Sequence, residues 1–98
     1  MNRFGLSDEQ YAWIKKILSL YLPGTEVFVF GSRSRGDHKK YSDLDLAVRA
    51  VKAIQRKTWL EIQEQFSEST LPFKVDLIEM QKIDPDFQKA IQKDLQAF

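Results

Sequence analysis

Apolar positions recur along the chain with several distinct rhythms, and each rhythm predicts an element. Tyr11, Ile14, Leu18 and Tyr21 fall at helical spacing, with Ile17 and Leu22 beside them. Ser7-Asp8-Glu9-Gln10 precedes them as a capping box, in which the Ser7 hydroxyl and the Gln10 side chain satisfy orphan backbone donors. Pro23-Gly24 ends this first helix. Val27 to Phe30 is a continuous apolar run that stops at Gly31, the pattern of a strand buried on both faces. From Asp43 to Val48 the chain alternates, with Leu44, Leu46 and Val48 on one side and Asp43, Asp45 and Ala47 on the other. Ile54 to Phe66 reads as a second long helix, broken by Leu71-Pro72. Phe73 to Ile78 reads as a third strand, in which Val75 and Leu77 alternate with Asp76 and Ile78. Asp84-Pro85 supplies an N-cap and first turn for a final helix, whose stripe is Phe87, Ile91, Leu95 and Phe98.

The predicted order is helix, strand, short helical turn, strand, helix, strand, helix. Three strands with flanking helices make an α/β or α+β layer around one core. The direction of each strand is not legible from this pattern. Trp13 and Trp59 lie off the main stripes of their helices, where they either finish a small core or anchor a partner.

Composition narrows the class. A chain of 98 residues is expected to form one domain, spanning 1–98, and its 43% hydrophobic content with 12% aromatics is that of a folded protein. Fifteen basic residues against 14 acidic ones leave a net charge of +1, without the overall basic excess of a nucleic-acid binder. Positive charge is nonetheless clustered locally, at Arg33, Arg35, His38, Lys39 and Lys40, the last three expected in an exposed loop. The absence of cysteine rules out disulfides, thiolate metal sites and a Cys nucleophile. No leader-like or membrane-spanning apolar run is present, so a cytoplasmic protein with no membrane partner is the expectation.

Chemistry concentrates in Phe30-Gly31-Ser32-Arg33-Ser34-Arg35-Gly36 and, after a basic loop, Ser42-Asp43-Leu44-Asp45-Leu46. A buried strand ending in Gly-Ser and entering a helical turn leaves backbone N–H groups free. Gly31 lets a phosphate approach the backbone closely, and the Ser32 hydroxyl can donate to it. Asp43 and Asp45, two apart on a strand, leave the same face about 6–7 Å apart. Ionising both carboxylates is costly; hydrogen bonds and water can relieve that cost and so can a hard divalent cation, and magnesium takes such carboxylates together with phosphate oxygens. Asp76 has the matching phase on another strand; were that strand adjacent, it would complete a two-metal site or supply a base. Arg33 and Arg35 carry guanidinium groups suited to triphosphate oxygens, although on one helical turn they cannot both face the same phosphate. Taken singly, a Gly-Ser turn, an Asp-x-Asp strand and a lone strand aspartate are ordinary features of soluble proteins. Their order makes the signal.

In that order the chain resembles the minimal nucleotidyltransferases of the DNA polymerase beta superfamily. Gly31-Ser32, Gly36, Asp43-Leu44-Asp45 and Asp76 occupy the places of the Gly-Ser turn, the second glycine, the acid pair and the third acid. Ser42 and Asp76-Leu77-Ile78 extend the likeness, which covers nearly the whole chain. The resemblance implies a small mixed three-stranded sheet flanked by about four helices. It implies that Asp43, Asp45 and Asp76 are both catalytic residues and ligands of magnesium, with two ions. It implies that Gly31 and Ser32 hold the terminal phosphates of a nucleoside triphosphate, with ATP as substrate and pyrophosphate as leaving group. Within these residues no acceptor-holding domain is left over, so either the acceptor site is very open or another polypeptide completes it. Minimal members pair with a helical HEPN-type toxin and, as antitoxins, transfer AMP to one of its tyrosines. Transfer to a small molecule of the aminoglycoside kind, or neutralisation of a partner by binding alone, are the alternatives.

Overall fold

Ser7 caps the first helix as its sequence predicts: the Gln10 N–H donates to Ser7 Oγ at 3.1 Å, and the Ser7 N–H donates to Gln10 Oε1 at 2.9 Å. In the computed structural model, which describes residues 3–98, that helix is α1 (Asp8–Tyr21). It is followed by β1 (Glu26–Phe30), the single turn α2 (Ser32–Arg35), β2 (Leu44–Arg49), α3 (Arg56–Ser67) and β3 (Val75–Glu79). A 3₁₀ turn (Met80–Lys82), α4 (Pro85–Gln92) and the short β4 (Gln96–Ala97) complete it. The strands form one mixed sheet in the order β3-β2-β1-β4. β1 runs antiparallel to β2 and β4, whereas β2 and β3 are parallel. A parallel pair needs a crossover, and α3 provides it.

The alternation read from the strands is the alternation of the two sheet faces. Val29, Leu44, Leu46, Val48 and Leu77 turn to one face, where Ile14, Ile17 and Leu18 of α1 and Ile62 and Phe66 of α3 bury them. Phe28, Phe30, Ala47 and Ile78 turn to the other, beneath Met80, Ile83, Ile91 and Leu95. Trp13 meets Phe66 edge to face at 5.8 Å and, like Trp59, packs on the first cluster; both finish the core. No helix among the described residues is long and apolar enough to cross a membrane.

Two expectations are corrected. The sheet has four strands, not three, because the final helix stops at Gln92 instead of running on to Phe98. The free edge of β1 offers unpaired backbone groups, and the chain after α4 takes them. Phe28 pairs with Ala97, Val29 with Gln96, and the Phe98 N–H donates to the Val27 carbonyl at 2.9 Å. Leu95 then enters the second apolar cluster and Phe98 the first, an outcome that a helical stripe would not allow. Phe98 is clamped by Tyr11, whose ring lies 4.7 Å away and whose hydroxyl donates to the Phe98 carbonyl. The second correction is smaller: α3 begins at Arg56 and β3 at Val75, so Ile54 and Phe73 reach the core from loops.

Candidate active site

The carboxylates gather at one end of the sheet. β1 leaves the sheet at Phe30, and Gly31 turns the chain into α2 with φ +77° and ψ −156°. Its carbonyl accepts from the N–H groups of Ser34 and Arg35 at 3.1 Å, and the N–H groups at the start of this turn have no partner within it. Asp45 lies opposite Phe30 in the antiparallel register and opposite Asp76 in the parallel one. Neighbouring strands stand about 4.8 Å apart, so the Asp45 and Asp76 side chains leave the same face side by side. Asp43 immediately precedes β2, two residues from Asp45. The Asp45 carboxylate also reaches under the turn, since a Cβ built on Gly31 would lie 2.6 Å from Asp45 Oδ2.

Electrostatics tie the group together. Burial pushes the Asp45 carboxyl above the usual carboxylate range, and Asp76 and then Asp43 push it further, while Arg35 pulls it back. A stability prediction follows. Between the unfolded value, about 3.9, and the higher folded one, the folded protein holds more protons than the unfolded chain. Stability therefore falls as pH rises through that window and stays lowered above it. Asp45→Asn removes this penalty and is expected to raise the melting temperature at neutral pH, with the gain fading in acid. Melting curves that show no gain at neutral pH would contradict the reading of Asp45 as a strained carboxylate.

The two arginines part company. Arg35 acts electrostatically on Asp45 and is held by Asp37 and Asp94, at 3.1 Å and 2.9 Å. Asp94, largely buried, drew no notice in the sequence because it belongs to the segment read as helix. Arg33 is a correction. Expected at the triphosphate, it is only 2% exposed and points away from solvent. Its Nε donates to the Ser42 carbonyl at 3.0 Å, Nη1 to Phe4 at 2.9 Å and Nη2 to Lys40 at 3.3 Å, with the Phe73 ring 4.4 Å from the guanidinium carbon. Residues two apart on a helix point about 200° from each other, so one arginine of this turn had to face inward. His38 also departs from the exposed loop expected of it. It packs where Gly5 has no side chain, with its Nδ1 buried, while Lys39 and Lys40 stay exposed.

Residues 13–96 match the family described as polymerase beta, nucleotidyltransferase. The chain belongs to this nucleotidyltransferase family. It is similar to MntA of Haemophilus influenzae, named as a probable protein adenylyltransferase, with 40% identity over 88 residues that cover 90% of this chain and 77% of MntA. Among solved structures, it resembles a toxin–antitoxin complex with AMP-PNP at a TM-score of 0.71 and 25% identity, over 86% of this chain and 68% of that one. The fold is shared as well with a complex of the tri-AMPylated HEPN toxin and MNT antitoxin of Shewanella oneidensis. There the TM-score is 0.66 at 22% identity, over 88% of this chain and 66% of that one. The three carboxylates of this nucleotidyltransferase are hard oxygen donors, a set that suits a hard cation such as magnesium. Among the described residues no three acidic or histidine side chains are already drawn to the spacing of metal ligands, so the fit rests on donor chemistry and on the acids' mutual repulsion.

Proposed function

We propose that this chain transfers AMP from ATP to a tyrosine of a helical HEPN-type partner, with magnesium, and thereby acts as the antitoxin of a pair. ATP as donor fits a cytoplasmic setting. The kinship with MntA and the fold shared with an MNT antitoxin that accompanies an AMPylated toxin support the reaction and the class of partner. The observation that carries it is the pairing of Asp45 with Asp76 beneath the Gly31 turn, with Asp43 beside them.

Asp43 and Asp45 would hold two magnesium ions, with Asp76 sharing the second. When bound, the ions neutralise triphosphate charge and stabilise the attacking and leaving oxygens. Gly31 admits the terminal phosphates to the backbone, and the Ser32 hydroxyl donates to them. Asp76 accepts the proton of the acceptor hydroxyl as its oxygen attacks the α-phosphorus. The bond from that phosphorus to the bridging oxygen breaks, and pyrophosphate leaves. Arg35, fixed by Asp37 and Asp94, adds positive charge near the phosphates without having to be recruited.

Incubation with ATP labelled at the α-phosphate, magnesium and a HEPN-type partner protein tests the proposal. The partner should carry the label, with pyrophosphate released in equal amount. A partner that stays unlabelled while an aminoglycoside takes the label would move the reading to small-molecule transfer.

A further inference from the structure

Arg33 is a cation that the mechanism above does not use, and it is buried at 2% exposure. None of the ion pairs among the described residues includes it. Burying a guanidinium without a carboxylate is costly unless its donors are satisfied. Here each of its three nitrogens donates to a backbone carbonyl, and the choice of carbonyls is informative. Lys40 and Ser42 lie in the loop that delivers Asp43, and the Ser42 hydroxyl fastens the same loop by accepting the Lys39 N–H at 2.8 Å. Phe4 belongs to the segment before α1. Phe73, stacked on the guanidinium, lies in the segment that delivers Asp76, and the next residue's carbonyl accepts the Leu44 N–H at 2.8 Å. One planar side chain thus touches the approaches to both acid-bearing strands, from a position one residue past Ser32. Burial disfavours its charge, and the neighbouring Asp43 carboxylate favours it.

We infer that Arg33 is the positioning residue of the acid site, fixing the Ser42–Asp43 entry and the Phe73 entry so that Asp43 is held at the same end of the sheet as Asp45 and Asp76. This inference rests on the site assignment made under the proposed function. It gives Arg33 no contact with the triphosphate. Lysine in its place keeps a charge and some donors but lacks the fork that spans diverging carbonyls and the flat face that stacks on Phe73.

The test is Arg33→Lys in the full chain with its partner protein. It would be read by circular dichroism, by binding of manganese(II) in the presence of a non-hydrolysable ATP analogue, and by kcat and KM for ATP. The variant is expected to fold. Manganese affinity and kcat should each fall about 10–100-fold, as when a residue orienting metal ligands is removed, while KM for ATP stays within about threefold. A folded variant with unchanged manganese affinity and kcat overturns the inference. So does a loss confined to KM for ATP, which would return Arg33 to the triphosphate. If Arg33→Lys does not fold, Phe73→Leu, which keeps all three carbonyl acceptors and removes only the ring, is read by the same measurements and criteria. Asp43→Asn run alongside separates the two layers. If it keeps full kcat, the site assignment fails and the inference with it; if it loses kcat while Arg33→Lys keeps it, the inference alone fails.

Discussion

Asp43→Asn and Asp45→Asn are each expected to lower AMP transfer by roughly a thousandfold, about 4 kcal/mol of transition-state stabilisation, with the fold retained. The size follows from what an amide cannot do. It matches the carboxylate in shape but brings no charge to a divalent cation, and phosphoryl transfer depends on that charge at the attacking and leaving oxygens. Neither substitution threatens the core. Asp43 is exposed and precedes β2, and the strain on the Asp45 carboxyl is relieved when its charge is removed. The pair thus separates function from stability: Asp45→Asn should melt higher and turn over far more slowly. Asp76→Asn should fall in the same range if Asp76 accepts the acceptor's proton, and its loss should shrink toward high pH, where more of the acceptor is already deprotonated. Initial rates of label transfer at saturating ATP give the comparison. Variants that still protect cells from the partner protein without transferring AMP would instead describe an antitoxin acting by complex formation.

How far the sequence reaches can be judged residue by residue. The capping box at Ser7, the two-faced burial of β1 and the phase of Asp45 and Asp76 were legible, because each depends on local periodicity or on hydrogen bonds only a few residues apart. The parallel pairing that sets Asp45 beside Asp76 was not legible from pattern. The likeness of the motif order to a family implied only a mixed sheet and a shared acid site; the parallel register that places the two acids opposite each other belongs to the structure. What escaped was tertiary. The pairing of Gln96 and Ala97 with β1 overrode a helical stripe, since a free sheet edge was a better partner for that backbone than another turn of helix. Arg33 escaped for a related reason. Its carbonyl partners are 7, 9 and 29 residues away, and no periodicity announces them. The one signal available was geometric: two arginines two residues apart on a single turn cannot both face the same phosphate.

Gly31→Ala is expected to lower kcat about 100-fold, the cost of displacing a catalytic group by about an ångström, and to destabilise the fold by about 1–3 kcal/mol through backbone strain. Two separate demands meet at this residue. With φ at +77° it occupies a conformation that L-side chains adopt only under strain, and a Cβ would stand 2.6 Å from Asp45 Oδ2. The first demand is general and the second is specific to the acid site, so a control can divide them. Gly24 has almost the same φ, +74°, but a Cβ there would meet nothing within 4 Å, at the far end of β1. Gly24→Ala carries the strain alone. It should therefore lower the denaturation midpoint while leaving kcat near that of the parent chain. Gly31→Ala adds a methyl group against the carboxylate that Asp43 and Asp76 already crowd. Asp45 must then swing aside or the turn must lift, and either movement separates the acid from the place where phosphate would approach the backbone. Denaturant unfolding and steady-state kinetics on both variants decide the matter. Equal losses of kcat in the two would mean that backbone strain, and not contact between the turn and Asp45, governs activity.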